Sequence, residues 1–141
     1  MRLFRHGSRL LWLAMIVVSL STFMLHGVSA KTIASSFAVS VSPDPVVLQS
    51  GPQGLSGQFD VQVQGATPNE TVFLPPAFLL ERSCDVTGLP AYIQADSSGN
   101  ATRHVMLAGC SPFVFGRHII HAIDIQSDNE AHAEFFVVPP R

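Results

Sequence analysis

Beyond its first 30 residues this sequence is poor in positive charge: Lys31, Arg82, Arg103, Arg117 and Arg141 stand against ten Asp and Glu side chains. Five basic against ten acidic groups leave a net charge of −5, with no run of either sign. Nucleic-acid backbones are held by clustered Lys and Arg, so that class of partner is excluded. Catalytic signatures are missing as well. There is no Gly-x-Ser-x-Gly elbow, no His-Glu-x-x-His helix and no glycine-rich phosphate loop, so the chain is expected not to be an enzyme and to carry no cofactor. Helical periodicity is also absent beyond the N-terminal segment, which excludes an α-helical domain.

The N-terminal segment is built differently. Arg2, Arg5 and Arg9 lie in MRLFRHGSR, which gives way to the apolar LLWLAMIVVSLSTFML and then to Val28-Ser29-Ala30. A basic start, an apolar middle and a small-residue exit predict a secretory signal over residues 1–30, cleaved after Ala30. The alternative is an uncleaved N-terminal anchor, the only route to a membrane expected here, although Leu10 to Leu25 falls short of the roughly 20 residues that span a bilayer. No cysteine follows the apolar run, which argues against a lipoprotein, and no second apolar span lies near Arg141. The expected location is therefore secreted, periplasmic or cell-surface.

Both cysteines, Cys84 and Cys110, lie in the exported part. In an oxidising compartment a pair is expected to be joined. Closing that loop is worth roughly 3.5 kcal/mol on the chain-entropy model, a large share of the stability of one small domain.

Residues 31–141 alternate apolar and polar side chains between clusters of turn residues. Phe37 to Ser42, Gln58 to Gln64, Thr71 to Leu74, Ala91 to Ala95, Ala101 to Leu107, Gly116 to Gln126 and Ala131 to Val138 are the expected strands. In the clearest of them Phe59, Val61 and Val63 share one face. About seven short strands separated by turns such as Gly65 to Glu70 and Asp96 to Asn100 predict an all-β, antiparallel β-sandwich.

VSVSPDP, GQFDVQVQGATPNETV, ADSSGNATRHVML, GRHIIHAID and AHAEFFVVPP together resemble successive strands of bacterial immunoglobulin-like domains, over nearly all of the chain after the leader. The resemblance implies an immunoglobulin-like sandwich and transfers architecture better than activity. The segment Pro75 to Pro90, longer and more apolar, departs from the usual pattern. A weaker likeness, in length, in an early SP-bearing strand and in a D-x-x-G turn, is to secreted sandwiches that carry enediyne chromophores, whose cysteine arrangement differs from Cys84 and Cys110.

Four side chains able to ligate or shuttle protons, His118, His121, Asp124 and His132, crowd one short span. Alternation along a strand sends His118 and His121 to opposite faces. The resemblance to immunoglobulin-like domains implies that Gly116, His118, Ile120 and Ala122 face inward, as do Ala131, Ala133, Phe135 and Val137, and Asp124 is expected to hold the following turn. His121 and His132 share the outer face of the last hairpin. A tight turn at Asp128-Asn129 would set His121 near Glu134 or Phe136, with His132 one step diagonal. His121, His132 and Glu134 are thus candidate metal ligands, against the simpler reading of a solvated hairpin face.

Apolar residues also stand where alternation does not account for them. Pro75 to Leu80 precedes Cys84, and Pro112 to Phe115 follows Cys110; both read as loops or edge segments. A disulfide would bring them into one stapled patch of Phe78, Leu79, Leu80, Phe113 and Phe115. Such a patch either caps the core or binds a protein partner or a small apolar ligand. Ile119 and Ile123, on the outer face with His121, need a cover that self-association could supply. Asn69-Glu70-Thr71 and Asn100-Ala101-Thr102 match the glycan acceptor pattern, which matters only in a eukaryotic secretory pathway. Three functions are in view: an exported module for adhesion or protein–protein interaction, a secreted carrier of a small apolar ligand, and a metal-binding protein.

Overall fold

A computed structural model describes residues 36–141. The expected signal or anchor over residues 1–30 lies outside the described residues. Among those described, no helix is long and apolar enough to cross a membrane.

Two sheets of five strands form an all-β sandwich. One contains β1 (Ala38–Ser42), β3 (Gln49–Gly51), β4 (Gly54–Gln64), β6 (Asp85–Thr87) and β8 (Ala101–Cys110), in the order β1-β4-β8-β6 with β3 also on β4. The other runs β2-β10-β9-β5-β7, made of β2 (Val46–Val47), β5 (Thr71–Phe73), β7 (Tyr92–Gln94), β9 (Gly116–Asp124) and β10 (Glu130–Val138). All pairings are antiparallel except β2 with β10.

Period-two patterning places the core. On β4 the buried residues are Phe59, Val61 and Val63, as the alternation requires, and on β8 they are Val105, Leu107 and Cys110. Phe59 meets Phe135 of the opposite sheet with ring centres 5.2 Å apart. Burying either ring contributes roughly 1.5–3 kcal/mol, so this contact is a principal tie between the layers.

Four features differ from the sequence expectation. Gln49 to Gly57, which lies outside the expected strands, forms the β3–β4 hairpin, with Gly54 after its turn at a φ of 97° that a side chain would strain. Phe78–Ser83, expected as loop or edge, is a short α-helix, α1, and Pro112–Val114 is a 3-10 turn. Gly116, expected to face inward, is exposed at the first position of β9. Strands β2, β3 and β6 are two or three residues long, too short to show a period of two.

Candidate functional site

Cys84 and Cys110 are bonded, with Cα atoms 4.1 Å apart and both side chains buried. Cys84 closes α1 and Cys110 ends β8. Beside them Ser111 N donates to Ser83 O at 2.8 Å, so the backbone reinforces the covalent link. The bond is consistent with an oxidising environment.

The staple brings α1 against the 3-10 turn, and the two apolar runs divide between core and surface. Leu80 and Val114 are fully buried, whereas Phe78 and Leu79 are about two-thirds exposed (66% and 68%) and Phe113 is 91% exposed. Helix geometry explains the split within α1. Successive residues point about 100° apart, so Leu80 anchors the helix in the core and its two neighbours cannot follow. Leu80, expected in the surface patch, therefore belongs to the core. Phe115 is half-buried against the core and forms only the margin of the patch.

His118 holds the other half of the patch in place. Inward as expected, its Nε2 donates to the Val114 carbonyl at 2.6 Å, and its ring lies 5.6 Å from Phe135. A carbonyl can only accept, so the proton sits on Nε2. The bond ties the 3-10 turn to the sheet, with Val114 drawn inward and Phe113 left outside.

Asp124 is buried, and its carboxylate does more than hold its own turn. Oδ1 accepts from Gln126 N at 3.1 Å, while Oδ2 accepts from Thr67 N at 2.7 Å and Thr67 Oγ1 at 2.8 Å. It thus joins the β9–β10 turn to the β4–β5 turn. Burial pushes its pKa up, but the bonds from Thr67, Ser127 and Gln126 outweigh burial and hold it below the ordinary carboxylate value.

The hairpin register differs from the expected one. The turn spans Ile125 to Asn129, organised by Asp124 and by Asp128 in the left-handed region at φ 55°, in place of a tight turn at Asp128-Asn129. His121 consequently faces His132 directly, with ring centres 6.1 Å apart. Glu134 lies opposite Ile119, and its Oε1 accepts from Arg117 Nη1 at 3.1 Å. The expected trio of His121, His132 and Glu134 is thus reduced to the two histidines. Among the described residues no group of three or more His, Cys, Asp or Glu side chains is placed to hold a metal ion. Ile119 and Ile123 are half-buried on this outer face, and Ile123 lies opposite Phe73, whose ring is 5.1 Å from that of Tyr92.

A cavity of about 690 Å³ has none of Phe78, Leu79 and Phe113 in its wall and is lined by Pro43, Pro45, Val47, Gly57, Met106 and Leu107 among others. It is not the pocket expected between the two apolar runs. Sequence reasoning missed it because its walls come from β2, β3, β4, β6, β8 and the loop before β2, and only the fold assembles these segments. The one local signal is Met106, a large apolar side chain on the polar phase of β8 and 51% exposed.

The chain matches no family model and no curated protein.

Proposed function

We propose that this chain is an exported, non-enzymatic immunoglobulin-like module that binds a protein partner through the surface formed by Phe78, Leu79 and Phe113. One observation carries this reading. Three large apolar side chains are held out of a core that takes in their immediate neighbours Leu80 and Val114, and a disulfide, a backbone bond and the His118 bond keep them so. A fixed, exposed apolar cluster is what a binding site presents before its partner arrives.

Topology supports the immunoglobulin-like part. The order β1-β4-β8-β6 corresponds to A-B-E-D of the constant-type sandwich, and β10-β9-β5 to G-F-C. The disulfide departs from that pattern, since it joins the residue just before β6 to the end of β8, beside one sheet, instead of bridging the two. The basic, apolar and small-residue succession before Lys31, together with the disulfide, supports export. Recovery of partners from the native extracellular fluid by the wild-type protein, but not by a variant with a polar patch, tests the reading.

The cavity at Met106 favours a second reading, a carrier of a small apolar ligand. Its walls are mostly apolar and its volume lies in the range of small-molecule sites. Titration with an apolar fluorescent probe separates the two, because a carrier binds the probe at Met106 and leaves the stapled patch unused.

A further inference from the structure

The parity of the β9–β10 ladder decides what His121 and His132 can do. Asp124 N donates to Asn129 O at 2.9 Å, so Asp124 and Asn129 are a hydrogen-bonded pair. Pairs alternate in an antiparallel ladder, which makes His121 and His132 a non-hydrogen-bonded pair, the type whose side chains approach most closely. An independent observation agrees. Phe136 and Arg117 fall in the same phase, and Phe136 N turns away from β9 to donate to Asp44 Oδ1 at 2.9 Å.

The two rings project side by side from the outer face, both exposed. An imidazole bound to a divalent ion has its ring centre roughly 3 Å from the ion, so two rings on neighbouring coordination positions have centres roughly 4.5–5 Å apart, and only opposed rings reach roughly 6 Å. The present 6.1 Å must close by roughly 1 Å, which rotation about the side-chain bonds of two exposed histidines supplies. Glu134 is occupied by Arg117, and His118 is on the inner face with its Nε2 committed to Val114.

We propose that His121 and His132 form a two-imidazole chelate for a late first-row divalent ion. Copper(II) binds most tightly, because imidazole suits it and it heads the affinity order of these metals. Solvent fills the remaining positions. The site lies on a different face element from the Phe78/Leu79/Phe113 patch and does not depend on it.

The test is calorimetric titration of copper(II) chloride into the tag-free, disulfide-bonded protein at neutral pH in a non-coordinating buffer. A saturable site is expected, weakened at least about tenfold by H121A and by H132A, since even loss of a group that merely orients a ligand costs that much. H104A is expected to leave it unchanged, because His104 Nδ1 lies 2.8 Å from Asp60 Oδ1 on the other sheet. Nitrogen hyperfine splitting in the copper spectrum, lost in the double variant H121A/H132A, supports the same assignment. Absence of binding up to millimolar copper overturns the proposal, as does a site of undiminished affinity in the folded double variant.

Discussion

His118 Nε2 donates to the Val114 carbonyl at 2.6 Å, and this bond joins a buried strand position to the turn that presents Phe113. The expected consequence is twofold. H118F removes the donor and leaves a buried carbonyl unpaired, which costs about 1–3 kcal/mol. It also frees the 3-10 turn, so amide exchange should accelerate at Val114 and Phe115, whose N–H groups bond to Ser111 O and Pro112 O. Denaturant unfolding and hydrogen exchange check the two effects. An unchanged midpoint would mean that the bond contributes nothing.

Removing the staple is expected to cost more. C84S/C110S should lower stability by about 2–5 kcal/mol, read from the denaturant midpoint. Leu80 and Val114 should keep a folded fraction at the patch, because both remain anchored in the core. Partner binding is expected to weaken in proportion to the loss of order in α1.

Asp124 makes stability depend on acid. Its folded pKa is lowered, so its contribution is complete above the unfolded value of about 3.9 and is lost as pH falls through the folded value. Asp96 acts in the same direction, through backbone bonds from Asn100 and Ser98. D124N is therefore expected to lower stability at neutral pH by about 1–3 kcal/mol and to flatten the decline below pH 4. Thermal unfolding across pH 2–7 measures both, and parallel curves for wild type and D124N would contradict the assignment.

The cavity reading has its own test. M106E puts a charge in the wall of the Pro43/Pro45/Val47 cavity and, at a half-exposed site, should shift stability by less than about 0.5 kcal/mol. If the chain is a carrier, binding of an apolar probe is lost in this variant. Probe binding that is unaffected by M106E and abolished by F113S would place the ligand at the stapled patch.

Alternation made β4 and β9 legible before any coordinates, because Phe59, Val61 and Val63, like His118, Ile120 and Ala122, follow the period of a half-buried strand. That His118 and His121 lie on opposite faces follows from that parity alone, whereas the inward direction of His118 comes from the resemblance to immunoglobulin-like strands. Pairing register was not legible. It depends on where the turn closes, and Asp124 closes it through partners as distant in sequence as Thr67. Nor could a continuous apolar run such as Phe78-Leu79-Leu80 declare which residue is buried, since that depends on its becoming helix instead of strand. Cys84 and Cys110 were legible as a pair, and with them the meeting of the two apolar runs.

The stapled patch is tested most directly by quantitative recovery of partner proteins from native extracellular fluid. Wild type is compared with F78S/L79S/F113S, a variant altered only at exposed positions. The two proteins should unfold at nearly the same denaturant concentration, since exposed substitutions shift stability by less than about 0.5 kcal/mol each. The expected result is a protein recovered in stoichiometric amount with the wild type and lost with the triple variant. Equal recovery by both folded proteins, or recovery of no partner by either, would contradict the assignment of this patch as the binding surface.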